Sequence, residues 1–200
     1  MTFKLSVLQS ALDNRGSKML EINKIKEVGE DVRIHESASI SRPHMVKIGN
    51  HVAIDEFFAC STSLEIADYV HISKHIGIIG GEKGLLKLGN FSNISLRGNI
   101  ICVSDSFKGE GLISAPGIPE IFRDQLVAEP IIFEDFANTG ANVTILPGVT
   151  LPEGVVIGAC SLVRKSDELK PWKIYAGNPI RLICDRPKEK MLAYAKELGY

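Results

Sequence analysis

The sequence holds five histidines, all at or before position 75. His71 and His75 stand four apart, and His71 fills the same slot of a six-residue pattern as Asn93 and Asn138, so those three side chains are expected along one edge of whatever the pattern builds. Histidine moves protons near neutral pH, which makes His71 and His75 candidate bases. The other candidates are carboxylates. Asp105 enters, and Glu134 and Asp135 follow, a stretch from about 105 to 130 where the pattern lapses. An exposed aspartate titrates near pH ~4 and is a weak base unless burial raises it. Asn99, Asn138 and Asn142 carry amides able to orient a polar substrate, although asparagine also suits left-handed corners.

Metal chemistry is poorly supplied. His71 with His75 would need a third ligand such as His44 or His51 from another turn or another subunit. The four cysteines, Cys60, Cys102, Cys160 and Cys184, are far apart and form no C-x-x-C pair, and no metal site is expected. Cys60, Cys102 and Cys160 fall inside the pattern and read as small core residues in a reducing compartment.

The element that must position these groups is a repeat of period six. One run is Phe133, Thr139, Ile145, Leu151, Ile157 and Val163, with Ala137, Val143, Val149 and Val155 as companions. An earlier run is Ile48, Ile54, Cys60, Ile66, Ile72 and Ile78, and Leu88, Ile94 and Ile100 lie between the two. A helix repeats near 3.6 and a strand near 2, so neither accounts for a period of six held over dozens of residues. Short strands joined by corners do, three hexads closing one coil of a triangular solenoid. The steps agree, since Ile48 to Ile66, Ile54 to Ile72 and Phe133 to Leu151 are each eighteen residues. The predicted fold is all-β, a parallel β-helix of about six coils over residues 33–185. Gly49, Gly89, Gly140 and Gly158 follow hexad-leading residues and are expected at corners with unusual torsions. Residues 1–32 are expected to form a partly helical cap, and residues 186–200 a C-terminal helix. Gly80 to Gly84 reads as a rearranged corner, and 105–130 as an excursion loop whose Phe107, Ile118, Ile121 and Phe122 would be covered by docking on a neighbouring subunit.

With 44% hydrophobic and 24% charged residues, the chain reads as one soluble domain. No run approaches the roughly 18 apolar residues of a membrane span, and Met1 to Ser10 lacks a signal-peptide pattern, so a cytoplasmic location is expected. A net charge of -1 offers no global attraction to nucleic acid.

Three stretches carry a resemblance: Ile145-Leu146-Pro147-Gly148-Val149-Thr150, Val156-Ile157-Gly158-Ala159-Cys160-Ser161-Leu162-Val163, and Tyr175-Ala176-Gly177-Asn178-Pro179-Ile180-Arg181. With the hexads, they make the sequence similar to the hexapeptide-repeat acyltransferases, in particular sugar O- and N-acetyltransferases of the galactoside and maltose acetyltransferase type. The resemblance spans about residues 34 to 185. It implies a left-handed helix, a homotrimer with active sites between prisms, acetyl-CoA as co-substrate, and a sugar or nucleotide-sugar acceptor in cell-surface polysaccharide assembly. It also implies that the pantetheine arm passes Gly158, Ala159 and Ser161, with the adenosine end near Lys165 and Gly177, Asn178, Pro179 and Arg181. Arg164, Lys165 and Arg181 would cradle the phosphates. A corner N–H at Gly140 or its neighbour would face the thioester oxygen. The γ-class carbonic anhydrases share the repeat, but the A-G-N-P-x-R tail favours the transferases.

One feature of that family is missing. Its catalytic histidine precedes the excursion loop, where this chain reads Val103-Ser104-Asp105-Ser106-Phe107-Lys108-Gly109. Three routes compete: a carboxylate base (Asp105, Glu134 or Asp135), a histidine from an earlier coil (His71 or His75), or an amine acceptor that attacks without a strong base. A fourth reading is an inactive binding or scaffolding prism.

Overall fold

The computed structural model describes residues 24–200. The chain winds as a left-handed parallel β-helix of three faces, two of six strands and one of eight. The first face runs from Glu27–Val28 through Val46–Ile48, Ser63–Ile66, Leu85–Leu88 and Ile131–Phe133 to Thr150–Leu151. The second begins at Arg33–Ile34, includes His71–Ile72, Asn93–Ile94, Asn138–Thr139 and Val156–Ile157, and ends in Lys173–Ala176 with the antiparallel strand Arg181–Asp185. The third holds Gly77–Ile79, Asn99–Ile101, Thr144–Ile145 and Leu162–Val163 among its six. Glu27–Val28 already pairs with Lys47 and Ile48, so the first rung begins inside the segment read as a cap. The helix expected in the remainder of that cap falls on residues 1–23, outside the described residues. The C-terminal helix is Glu189–Glu197.

Period six becomes a stacked core because each hexad-leading side chain points inward and lies in register with its counterpart one coil away. Ile54, Ile72, Ile94, Thr139, Ile157 and Tyr175 form one such column across the second face. The aliphatic members are all buried, and burying each contributes roughly 1.5–3 kcal/mol. Two insertions leave this register intact. Ile66 pairs with Leu88 across the Gly80–Gly84 corner, and Leu88 pairs with Phe133 across the whole excursion loop.

The corners differ from expectation in two respects. Gly140 and Gly158 are needed for close approach between coils: a methyl group on Gly140 would lie 2.6 Å from the Ala159 nitrogen, and one on Gly158 2.8 Å from the Ala176 methyl. Positive φ falls two residues later, on Asn142 (57°) and Cys160 (58°). That geometry turns the third corner residue outward, so Cys160 is exposed while Cys60 and Cys102 are buried. The reading of Cys160 as a core residue is therefore corrected.

Along the edge between the first and second faces, the third corner residues are aromatic. His51, Tyr69, Phe91 and Phe136 stack with centroids 4.6, 5.1 and 5.0 Å apart, and Trp172 follows at 5.6 Å. The first three spacings match the rise between coils, about 4.8 Å; Trp172 stands two coils from Phe136 and reaches it by lying over Gly154, which holds the corner between them. Beneath the rings runs a polar ladder. Asn50 donates its backbone N–H to Asp68 (2.6 Å), Asp68 to Asn90 (3.0 Å) and Asn90 to Asp135 (2.7 Å). Trp172 is buried over Gly154 with Arg186 and Lys188 at its face, so it is a packing residue of the C-terminal cap.

Candidate functional site

Two features gather chemistry on opposite borders of the third face. On its border with the second face, the last coils bring Gly140, Gly158, Ala159, Ser161 and Gly177 together. Ser161 donates its hydroxyl to the Gly158 carbonyl (2.7 Å), and its oxygen accepts the Gly177 N–H (2.8 Å). The result is a backbone-walled lane with little side-chain bulk. The Gly140 N–H is engaged with the Ile157 carbonyl (2.7 Å), so it is not free to face a thioester oxygen.

On the other border, the excursion leaves as an antiparallel ribbon, Val103–Asp105 against Leu126–Ala128. Asp105 sits at the ribbon end, where its carboxylate accepts the Ser114 N–H (3.2 Å) and hydroxyl (2.7 Å). Asp124, buried beside it, accepts from the Ser106 hydroxyl (2.8 Å) and the backbone N–H groups of Gln125 and Lys108. The Ser106 bond, with these backbone donors, holds the Asp124 carboxyl below the usual aspartate range. Ser114 and Asp124 were not singled out from sequence. Their only signal there is the polar content of the loop, and their roles depend on a fold-back of the loop on itself.

The remaining predicted residues are dispersed. His71 lies on the second face, in register with Asn93 and Asn138 as the pattern implied, and its Nε2 is 3.0 Å from Asp55. His75 is a corner residue stacked on Phe57 at 4.7 Å. Asn99 stands on the third face. Asn138 donates to the Phe136 carbonyl at 2.6 Å. Glu134 accepts the Glu153 N–H and Asp135 the Asn90 N–H, which ties both to the aromatic edge, away from the lane and the ribbon. Within one chain, Asp105, His71 and His75 occupy three separate places. The phosphate cradle is also thinner than the sequence implied, because Arg164 is held by Asp167 (3.0 Å) and Lys165 by Glu129. Arg181 alone of those three has no carboxylate partner among the described residues.

Among the described residues no cluster of His, Cys, Asp or Glu is arranged to hold a metal ion, and no helix is long and apolar enough to cross a membrane. No family model matches the chain. Individual proteins do. It is 31% identical over 167 residues to the Escherichia coli dTDP-4-amino-4,6-dideoxy-D-glucose acyltransferase, covering 82% of this chain and 84% of that one. It is 32% identical over 123 residues to WbbJ of Escherichia coli K12, named for O-acetyl transfer in lipopolysaccharide biosynthesis, with 62% of this chain and 58% of that one covered. Among solved structures it superposes on AntD, an N-acyltransferase from Bacillus cereus crystallised with dTDP and 3-hydroxybutyryl-CoA. The TM-score is 0.80 at 33% identity, over 88% of this chain and 92% of AntD. Three-faced coils, a glycine-lined lane in the last of them, a folded excursion loop and these likenesses agree: the chain belongs to the hexapeptide-repeat acyltransferases that use CoA thioesters.

Proposed function

We propose that this enzyme transfers an acetyl or other short acyl group from acyl-CoA to the amine of a nucleotide-linked amino sugar. The observation that carries the reading is the loop entrance, where a hydrogen-bonded carboxylate, Asp105, stands in a chain with no histidine beyond His75. A hydroxyl acceptor needs a base as it attacks; a neutral amine does not. The amine nitrogen attacks the thioester carbonyl, the carbon–sulfur bond breaks, and the departing CoA thiolate takes the surplus proton from nitrogen, leaving an amide and the CoA thiol. In this reading Asp105 receives the acceptor amine as a hydrogen-bond acceptor, and Ser114 fixes its orientation. Pantetheine lies along Gly158, Ala159, Ser161 and Gly177, whose missing or small side chains leave room for it, with Arg181 toward the phosphates.

A single chain puts the lane and Asp105 on opposite borders of one face, so the complete site forms between subunits, as in a homotrimer. The exposed Phe107, Ile121 and Phe122 of the excursion loop supply apolar surface for that contact. Nucleotide sugars and acyl-CoA are cytoplasmic metabolites, which places the reaction there and its product upstream of surface-polysaccharide assembly.

The test is thiol release from acetyl-CoA and longer acyl-CoAs with dTDP-linked 4-amino and 4-hydroxy sugars, the product identified by mass spectrometry. An amide formed with the amino sugar supports the reading. CoA release with hydroxy sugars only, or with none of the panel, overturns it.

A further inference from the structure

Cations on the coils are commonly matched to a carboxylate on the same or an adjacent rung. Lys47 pairs with Glu27 (3.2 Å), Lys74 with Glu56 (3.1 Å) and Lys87 with Glu65 (2.8 Å). Arg97 is an exception. Its side chain is exposed and has no carboxylate partner among the described residues. It occupies the third position of a corner at φ 57°, the left-handed conformation that this corner position takes throughout its column and that turns the side chain outward.

The column to which Arg97 belongs is Phe57, His75, Arg97, Asn142 and Cys160, one residue per coil on the border of the second and third faces. None of these is acidic, and the nearby Glu56 is already neutralised by Lys74. The column therefore presents an unbalanced positive charge with hydrogen-bonding groups on either side, His75 one rung below and Asn142 one rung above. Its upper end, Cys160, lies between Ala159 and Ser161 of the lane. Arg97 is two rungs beneath that point, about 10 Å at the usual strand spacing.

We infer that Arg97 binds the diphosphate of the nucleotide-linked acceptor, and so selects nucleotide-linked over free amino sugars. This rests on the function proposed above and extends it to a named residue. In a 4-amino sugar the amine and the diphosphate-bearing carbon stand on opposite sides of one pyranose ring. An acceptor whose amine meets the thioester at the lane therefore hangs its diphosphate one to two rungs away, within reach of a guanidinium. Planar, permanently charged and forked, that group pairs with phosphate oxygens bidentately.

The experiment compares wild type with Arg97→Gln and Arg97→Lys, with thermal unfolding to establish that each is folded. Steady-state constants are measured for acyl-CoA and for dTDP-linked amino sugar, together with inhibition by dTDP and by thymidine. Arg97→Gln should raise KM for the nucleotide sugar and Ki for dTDP by roughly ten- to a hundredfold, leaving KM for acyl-CoA and the weak effect of thymidine in place. Arg97→Lys should recover part of the loss. Unchanged KM and Ki in an active Arg97→Gln enzyme would overturn this inference alone. A rise in KM for acyl-CoA instead would also overturn it, by assigning the cation to the donor. Wild type that neither binds dTDP nor acylates the nucleotide sugar would remove the underlying function as well.

Discussion

The phenolic hydroxyl of Tyr200, just beyond the C-terminal helix, donates a hydrogen bond to the carboxylate of Asp68, 132 positions earlier. Its ring lies edge-on to Tyr69 (5.5 Å) and Phe91 (5.2 Å), so this segment closes over the aromatic column at the edge between the first and second faces. Accepting this bond fixes the Asp68 oxygens that also receive Asn50. The segment after the helix is thereby linked to coils formed early in the sequence.

This contact predicts both limbs of the stability–pH curve. Burial alone would raise the Asp68 carboxyl, but hydrogen bonds from Tyr200 and Asn50 hold it below its ordinary value. A lowered folded pKa means that its stabilisation is present above the unfolded value of 3.8 and is lost as pH falls through the folded one. The Tyr200 hydroxyl is pushed up to about 12, chiefly by its bond to Asp68. Its contribution is complete below pH 10 and disappears as pH rises toward 12. Thermal melts of Tyr200→Phe should show a lower midpoint at neutral pH and a flatter decline between pH 10 and 12 than wild type. Parallel curves would show that the hydroxyl contributes nothing.

Gly154 predicts a larger loss. It has φ 67°, and a methyl group there would lie 2.3 Å from the Trp172 ring. Gly154→Ala combines left-handed backbone strain with overpacking, and urea denaturation should show it destabilised by about 2–4 kcal/mol. A change within experimental error would mean that Trp172 does not sit on this corner.

How much of this was legible beforehand follows from what each residue answers to. Ile94 and Ile157 face the interior in every coil, and a period of six in apolar side chains reports that directly. The Asn93 and Asn138 register with His71 was readable for the same reason. Tyr69, Phe91 and Phe136 recur too, but in an outward-facing corner slot that an apolar period does not mark, since the same slot on the other border accepts Arg97, Asn142 and Cys160. Partners such as Asp105 with Ser114, or Lys165 with Glu129, depend on how an irregular loop folds back, and no period records that. For core positions the expectation is simple. Ile94→Ala, at a fully buried site, should cost about 2–5 kcal/mol in the same denaturation assay.

Thiol chemistry tests the lane. Burial pushes the Cys60 thiol up to about 11 and the Cys102 thiol up to about 12, whereas Cys160 and Cys184 are exposed. A thiol reagent at neutral pH should label Cys160 and Cys184 in the native protein and all four cysteines after denaturation. Saturating CoA should protect Cys160, which lies between Ala159 and Ser161, without slowing Cys184 to the same degree. Equal reactivity of Cys160 with and without bound CoA would move pantetheine elsewhere.

The choice between an amine acceptor and a histidine base is decided by the pH dependence of kcat/KM together with Asp105. If the neutral amine attacks unaided, the rate follows the fraction of acceptor that is deprotonated, so kcat/KM rises with pH and levels off above the pKa of that amine. Changing to an acceptor of lower amine pKa should then move the inflection by the same amount, whereas a base on the enzyme would keep it fixed. Asp105→Asn should lower kcat/KM by about ten- to a hundredfold, because a charge-assisted contact to the amine is replaced by a neutral one. It should leave both the inflection and acyl-CoA affinity where they were. Ser114→Ala, which loosens the same carboxylate without removing it, should give a smaller loss of the same kind. If Asp105→Asn instead abolished the pH inflection, Asp105 would be the base, and the carboxylate route read from the loop entrance would replace the unaided amine.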